Sequence, residues 1–227
     1  MGALFRLMLP NLVEASKIIY LDCDIVVTLD IFELWNLNLN GKPIAAILDP
    51  GMMTFPDLIK QRIQSTGVSV QNYFNSGVLV MDLDCLRKEF QLFNQAITYL
   101  QRYPQSVFHD QDALNFLFQQ NYFHLDTKYN KIVSHSKPEE LNQKAIWHYA
   151  GVKPWEYYLS EMDMLYWKAL SLTPWQNQLF ERLAKAISCS WAMMGEQVRK
   201  EKMKYCRRRW VTLFPETENV HLTKDVG

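Results

Sequence analysis

The sequence has few cysteines and no excess of charge of either sign. Its four cysteines form no C-x-x-C pair and lie far apart, at Cys23, Cys85, Cys189 and Cys206. Neither a disulfide framework nor a zinc site is therefore expected. Lysine and arginine total 24, and aspartate and glutamate also total 24, so the formal net charge is 0. A globally basic nucleic-acid-binding protein is not suggested, and no nucleic-acid partner is expected.

Long apolar runs are also missing. No stretch approaches the ~20 uninterrupted apolar residues of a membrane span, because a charged residue interrupts every candidate. Residues 1–7 lack the basic start, the apolar run and the small-residue cleavage site of a signal peptide. Together with the separated cysteines, these features favour a reducing, cytoplasmic location.

The chain does have enough apolar material for a core. Of its 227 residues, 48% are hydrophobic and 13% aromatic, against 21% charged, which excludes general disorder. This length allows one large domain, or one domain and a small appendage.

Short apolar runs alternate with amphipathic segments along the chain. Strands are predicted at 17–21, 25–27, 43–48, 78–81, 122–125 and 145–149. Helices are predicted at 3–15, 56–65, 83–103, 110–120, 161–171 and 176–190, and the polar stretch 130–144 as a loop. This order is typical of an α/β fold with a largely parallel sheet covered on both faces.

Two aspartates follow the first predicted strand, in the segment Asp22-Cys23-Asp24. If the alternation of the strand continues through them, both carboxylates project to the same side. Two such carboxylates repel each other unless a cation joins them, and oxygen ligands suit Mg²⁺ or Mn²⁺. The alternative is a solvated turn or a pair of helix caps, and the D-x-D pair alone does not decide between the two.

Five segments, in order along the chain, resemble motifs of one protein family. They are FRLMLP at 5–10, YLDCDIVV at 20–27, YFNSGVL at 73–79, HDQDALN at 109–115 and HYAGVKPW at 148–155. Each is similar to a motif of the family 8 glycosyltransferases, which include bacterial lipopolysaccharide glucosyl- and galactosyltransferases and glycogenin. The last segment is one residue shorter than the family pattern between Gly151 and Lys153.

The resemblance implies a Rossmann-like nucleotide-diphospho-sugar transferase fold of the GT-A type, and it implies roles for individual residues. Mn²⁺ (or Mg²⁺) would be held by Asp22, Asp24 and His148. Contacts to a UDP-hexose donor would come from these three residues and from Arg6, Cys23, Asp49, Asn75, Asp110, Gln111, Gly151 and Lys153.

Within this set the resemblance distinguishes several positions. Lys153 would contact the diphosphate, and Gly151 would allow the main chain to approach it closely. Asp49 would lie on the side of the site where the acceptor binds. Asp110 and Gln111 would be the catalytic residues, with Gln111 next to the anomeric carbon. Gln111 is an amide and a poor nucleophile, so attack by the acceptor from the leaving-group face is favoured over a covalent double displacement.

Several of these residues have a purely structural alternative. His148 is otherwise interpreted as a core histidine before a turn, and Arg6 as an exposed helix charge. Asn75 is otherwise a turn cap, and Asp110 is otherwise the N-cap of the helix that follows it.

The chain departs from the family pattern at both ends. The family has one or more βα units before the segment that contains Arg6. We therefore expect that the first strands of the sheet are missing and that the Ile18-Ile19 strand lacks one partner.

Three parts of the chain are predicted: a partial catalytic domain at 1–158, its C-terminal helical part at 159–190 and a basic aromatic tail at 191–227. Between Arg199 and Arg209 seven basic residues stand against one acidic residue, 7 − 1 = +6. Peripheral contact of 191–210 with anionic lipid and a solvated helix are both open interpretations.

The resemblance implies a retaining, Mn²⁺-dependent glycosyltransferase. It would move glucose or galactose from a UDP-sugar to lipopolysaccharide or another surface glycan, in the cytoplasm. If the tail contacts lipid, this would take place at the inner face of the cell membrane. Two alternatives stay open: a protein-directed or self-glucosylating transferase of the same family, and a truncated, inactive remnant that binds metal or sugar weakly.

Overall fold

A computed structural model of the chain describes residues 2–156 and 160–193. The chain separates into two compact units, Met1–Gly151 and Val152–Gly227. This division lies near the boundary predicted after residue 158, and the assignment of 159–190 to the same domain stays a prediction. The basic segment 199–209 lies outside the described residues. None of the described helices is long and apolar enough to cross a membrane.

Two sheets form in the described part of the first unit. The strands of the larger sheet are β1 (Lys17–Leu21), β3 (Ile44–Leu48), β4 (Phe74–Asp82) and β5 (Phe123–His124). Those of the smaller sheet are β2 (Ile25–Val27), β6 (Lys131–Ile132) and β7 (Ile146–His148). The larger sheet has the strand order β1-β4-β3-β5, and the smaller sheet has the order β2-β7-β6.

The predicted α/β class is confirmed, but the predicted largely parallel sheet is wrong. β1 and β3 both run antiparallel to β4, and β2 runs antiparallel to β7. Only the short pairings of β3 with β5 and of β6 with β7 are parallel within the described residues. The apolar pattern of a strand reports how deeply the strand is buried and not the direction of its neighbour, so the sequence did not reveal the antiparallel pairs.

The helices of the first unit are α1 (Leu9–Leu12), α2 (Ile31–Trp35), α3 (Gly51–Thr54), α4 (Asp57–Gln64), α5 (Leu83–Cys85), α6 (Leu92–Arg102) and α7 (Asp110–Phe118). The described helices of the second unit are α8 (Asp163–Ser171) and α9 (Leu179–Met193). A 3-10 helix covers Gly2–Met8, and shorter 3-10 turns lie at Thr127–Tyr129, Val133–His135, Pro138–Glu140 and Gln176–Gln178.

Four predicted segments differ from the structure. The predicted helix 3–15 is a 3-10 helix followed by the short α1, which begins next to Pro10. The predicted helix 83–103 is interrupted at Gln91, whose φ of 47° is left-handed and ends a π-helical turn before α6 begins. The predicted strand 78–81 is longer, because β4 begins at Phe74 and continues to Asp82. The predicted loop 130–144 contains the strand β6.

The central strand β4 is buried on both faces. Leu79 and Met81 pack in one core cluster, which also contains apolar residues of α6 and α7. Val78 and Val80 pack in a second cluster with Ile146 of β7. In the second unit, Trp167 of α8 packs against residues of α9 in a cluster of its own. The continuous apolar run of β4 therefore reflects two-sided burial, as expected for a central strand.

Asn115 ties α7 to the beginning of β4. The side chain is fully buried. Its Oδ1 accepts a hydrogen bond from the Phe74 N–H at 2.8 Å, and its Nδ2 donates to the Phe74 carbonyl at 2.8 Å. The same Nδ2 donates to the Gln111 carbonyl at 2.9 Å. One amide thus satisfies both main-chain groups of Phe74 and holds the first turns of α7 beside β4.

We expect Asn115→Leu to lower the free energy of unfolding by about 2–4 kcal/mol, because it leaves buried main-chain groups of Phe74 without partners, and each such group costs ~1–3 kcal/mol. Chemical denaturation measures the change. The control Asn94→Ala, at an exposed position of α6, should change it by less than about 0.5 kcal/mol. Equal effects of the two substitutions would contradict this role of Asn115.

Candidate functional site

The strand directions bring residues that are distant in sequence to one place. Because β1 and β3 run antiparallel to β4, both end beside the beginning of β4. The N–H of Asp22 donates to the Gly77 carbonyl at 2.8 Å, and the N–H of Asp49 donates to the Tyr73 carbonyl at 2.9 Å. The first turn of α7 reaches the same region, since Asn115 holds α7 against β4.

Asp22, Asp24 and His148 form a cluster between the two sheets. Cys23 and Asp24 lie in a turn from β1 to β2, and the Tyr149 N–H donates to the Asp24 carbonyl at 2.9 Å next to the pairing of β2 with β7. His148 Nε2 lies 3.3 Å from Asp24 Oδ1 and 3.9 Å from Asp22 Oδ2. One ligand atom from each of the three residues lies within 4.8 Å of the others. The two aspartates therefore meet across a turn, and the predicted continuation of strand alternation is wrong.

This cluster fits a divalent cation such as Mn²⁺. Two carboxylates and one imidazole are a donor set that suits this ion. The close approach depends on Gly77, because a Cβ atom at this position would lie 2.2 Å from His148 Cε1 and 3.0 Å from Asp22 Oδ2. Any side chain in place of Gly77 would displace one of the candidate ligands. The interpretation of His148 as a simple core histidine does not account for this arrangement.

Arg6 connects the cluster to α7. Its Nη2 lies 2.8 Å from Asp22 Oδ1, and its Nε lies 2.9 Å from Asp110 Oδ2. Its Nη1 donates to the Ser76 carbonyl at 2.6 Å, and the guanidinium lies 4.5 Å from the centre of the Tyr20 ring. Arg6 is buried, so its interpretation as an exposed helix charge is wrong.

Burial changes the proton affinity of two groups beside Arg6. The Tyr20 hydroxyl donates to Asp22 Oδ1 at 2.7 Å. Burial, together with this hydrogen bond, raises the pKa of Tyr20, so the hydroxyl stays a donor. Burial also raises the pKa of Asp110, an effect that the adjacent Arg6 opposes. Asp110 is the first residue of α7, and the N-cap position belongs to His109, whose φ is 36°. The N-cap interpretation of Asp110 is therefore wrong.

Gln111 is held by four side-chain contacts. Its Oε1 accepts hydrogen bonds from the Ser76 N–H at 2.8 Å and from Ser76 Oγ at 3.1 Å. Its Nε2 donates to Asp49 Oδ2 at 3.2 Å and to the Tyr73 hydroxyl at 3.3 Å. The Tyr73 hydroxyl in turn donates to Asp112 Oδ1 at 2.5 Å. Because the Ser76 N–H can only donate, the orientation of the Gln111 amide is determined.

Asn75 and Asp49 complete this polar group. Asn75 Nδ2 donates to Asp49 Oδ2 at 3.1 Å, and Asp49 Oδ1 accepts from the Gly51 N–H at 2.8 Å. Asn75 lies within β4, so its interpretation as a turn cap before the strand is wrong. The structure thus joins Asp49, Asn75 and Gln111 by hydrogen bonds, and Asp110 lies beside Gln111 in the first turn of α7. The donor contacts expected of these residues stay predictions.

For three predicted site residues the structure gives less support for a role in the site. The side chain of Cys23 is exposed in the turn between the two aspartates. Gly151 has a φ of 89°, which favours glycine, and it is the last residue of the first unit. Lys153 belongs to the second unit. The donor contacts expected of these residues stay predictions.

Sequence reasoning did not single out four residues that belong to the site. Tyr20, Tyr73 and Ser76 lie inside the motif segments, and their contacts with Asp22 and Gln111 show that these positions carry more than strand packing. The fourth is Asn130, a buried residue of the predicted loop 130–144 that lies in none of the motif segments.

Comparison with known proteins identifies the family. The model of the family described as Glycosyl transferase family 8 matches residues 1–158. The chain belongs to this family. It is 28% identical over 193 residues to the glycosyltransferase GlyB of Streptococcus pneumoniae, an alignment that covers 78% of this chain and 44% of GlyB.

Two further relatives of this family 8 chain are informative. It is 30% identical over 191 residues to the lipopolysaccharide 1,2-glucosyltransferase of Escherichia coli, covering 76% of this chain and 54% of that protein. It is similar to the crystal structure of the galactosyltransferase LgtC in complex with donor and acceptor sugar analogs, with a TM-score of 0.63, 25% identity and coverage of 80% of this chain and 70% of that chain. The GT-A type of the fold is confirmed by this likeness. The chain spans less than half of the length of GlyB and of several other curated relatives.

We expect Asp22→Asn and Asp24→Asn each to weaken Mn²⁺ binding by at least ~100-fold, because loss of a ligand should exceed the ~10–100-fold that loss of an outer-shell partner costs. Calorimetric titration of the metal into the full chain measures this. Asp57→Asn is the matched control, since the side chain of Asp57 is 91% exposed. Affinity that is the same in Asp22→Asn and in the control would rule out this cation site.

Proposed function

We propose that the chain transfers a hexose, glucose or galactose, from a UDP-sugar to a glycan or glycolipid acceptor with retention of anomeric configuration. The observation that carries the proposal is the connection, through Arg6 and Ser76, between the candidate metal cluster and the amide of Gln111. Asp22, Asp24 and His148 would hold Mn²⁺ (or Mg²⁺). When bound, this ion neutralises charge on the leaving diphosphate.

Several polar side chains of the protein, on one side of this cluster, are available to bind the donor hexose. The carboxylates of Asp49 and Asp110 accept hydrogen bonds, and the amides of Asn75 and Gln111 donate them. Asn75, Asp49 and Gln111 already hold one another in position. Ordering these side chains therefore costs little when a sugar binds, which favours affinity for the donor.

The contacts of Gln111 bear on how configuration is retained. A covalent double displacement needs a side-chain atom that attacks the anomeric carbon. Gln111 Oε1 accepts two hydrogen bonds from Ser76, and the Ser76 hydroxyl itself accepts one from Arg6 Nη1 at 3.1 Å. These contacts lower the electron density of an oxygen that is already a weak nucleophile.

Attack from the leaving-group face is the mechanism that this arrangement supports. The acceptor hydroxyl oxygen bonds to the anomeric carbon while the bond from that carbon to the phosphate oxygen breaks on the same face. The proton of the acceptor hydroxyl passes to the departing phosphate oxygen. Gln111 lines the reaction centre in this scheme and takes no covalent part in it.

The proposal also includes the chemical class of the acceptor. The similarity to a lipopolysaccharide 1,2-glucosyltransferase favours a surface glycan or its lipid-linked precursor, reached from the cytoplasmic side of the membrane. The proposed lipid contact of 191–210 involves residues beyond those described, from 194 onward, and stays a prediction. The hydrogen bonds that hold the Gln111 side chain in one orientation favour an active transferase over an inactive remnant.

Turnover of the donor tests the function directly. The full chain, incubated with Mn²⁺, UDP-glucose or UDP-galactose and lipopolysaccharide, should release UDP and label the acceptor with the hexose. Excess chelator should abolish both signals. Transfer that continues at full rate in chelator, or no UDP release with either donor, would contradict the proposal.

We expect Gln111→Ala to lower kcat by roughly 100- to 1,000-fold and to leave the Kd for the donor nearly unchanged, which is the effect of losing a group felt mainly in the transition state. Steady-state kinetics and donor titration separate the two quantities. Gln120→Ala, at an exposed position just after α7, is the control and should change neither. A covalent sugar trapped on Gln111 would overturn the proposed mechanism.

A further inference from the structure

Asn130 lies against the candidate metal ligand His148 and has no part in the function proposed above. It stands between the turn Thr127–Tyr129 and the strand β6. Because β6 pairs with β7, Asn130 approaches the strand that carries His148. Its side chain is fully buried, so each of its polar atoms needs a partner within the protein.

The orientation of the neighbouring Asn75 amide follows from two groups whose roles are unambiguous. The Gly77 N–H can only donate, and it lies 2.9 Å from Asn75 Oδ1. The carboxylate of Asp49 accepts, and its Oδ2 lies 3.1 Å from Asn75 Nδ2. Both contacts require the same orientation of the Asn75 amide, in which its oxygen points toward Gly77 and Asn130.

The orientation of Asn130 follows in the same way. Asn75 Oδ1 can only accept, so the Asn130 atom at 2.9 Å from it is the donor Nδ2. The other atom of this amide, Oδ1, then lies 3.0 Å from His148 Nδ1. An amide oxygen requires a proton on Nδ1. The second ring nitrogen, Nε2, faces the carboxylates of Asp22 and Asp24.

We propose that Asn130 is a positioning residue, which keeps the proton of neutral His148 on Nδ1 and so presents the lone pair of Nε2 to a cation between Asp22 and Asp24. The hydrogen bond of one ring nitrogen determines which nitrogen is available to a metal. With Asn130 removed, the ring can take the Nε2–H form and donate to Asp24 instead, and it then ceases to be a ligand. This inference rests on the metal site of the proposed function.

The proton position can be measured without any metal. ¹⁵N-labelled histidine in the full chain gives separate signals for protonated and unprotonated ring nitrogens, at a pH high enough for the ring to carry a single proton. We expect a protonated Nδ1 and an unprotonated Nε2 for His148. A protonated Nε2 in the wild-type protein would overturn the proposal, whether or not any variant folds.

Two substitutions at Asn130 then separate positioning from packing. Asn130→Leu removes the acceptor, and we expect a mixed or Nε2–H form of His148 and a roughly 10–100-fold loss of Mn²⁺ affinity. Asn130→Asp keeps an acceptor for Nδ1 but loses the donor to Asn75 Oδ1. It should therefore keep the Nδ1–H form and a Mn²⁺ affinity closer to that of the wild type than Asn130→Leu, even if it lowers stability. Asn115→Leu removes a second fully buried amide, and it should lower stability without changing the proton position.

The outcomes distinguish this inference from the proposed function. If the wild type shows the Nδ1–H form, and this form is lost in Asn130→Leu, but Mn²⁺ does not bind to the wild type, the proposed metal site fails while the effect of Asn130 on the ring stands. If Mn²⁺ binds to the wild type and Asn130→Leu keeps both the Nδ1–H form and the full affinity, Asn130 is not a positioning residue.

Discussion

The buried guanidinium of Arg6 is the group on which the rest of the site depends. It pairs with Asp22 at the end of β1 and with Asp110 at the start of α7. Because Arg6 is buried, removal of these partners would leave a buried charge without compensation, which is strongly destabilising. It also donates to Ser76, whose hydroxyl reaches Gln111. One positive side chain thus sets the relative positions of a strand end, a helix start and the Gln111 amide. A divalent cation held by Asp22, Asp24 and His148 would add positive charge beside these carboxylates.

A second set of contacts, a series of hydrogen bonds, connects the candidate metal cluster to Gln111. Hydrogen bonds run from His148 through Asn130 and Asn75 to Asp49, and from Asp49 to Gln111. Each amide in this series has a determined orientation, because a donor-only or acceptor-only group stands at its ends. The candidate ligand His148 and the Gln111 amide are therefore held in position within the protein. Such preorganisation is what the proposed transfer would need for electrostatic stabilisation of its transition state.

The sequence predicted which residues the structure brings close together better than it predicted the strand directions that bring them there. Asp22 and Asp24 could be identified because the segment that contains them resembles a family motif, whereas the D-x-D pair alone left a solvated turn or helix caps open. A turn, and not strand alternation, brings the two carboxylates together. Strand direction and the break at Gln91 depend on tertiary packing, which apolar periodicity does not encode. Asn130 could not be found, because its role exists only through contact with His148, a residue distant in sequence and without a local motif link to it.

We propose that the cluster of Asp22, Asp24 and His148 binds a divalent metal that contacts the donor diphosphate. A crystal structure of the full chain with Mn²⁺ and UDP, with the manganese located by anomalous scattering, tests this proposal most directly. We expect a peak bonded to both aspartates and to His148 Nε2, in contact with diphosphate oxygens. Manganese bound elsewhere, or a diphosphate held away from these three residues, would contradict it.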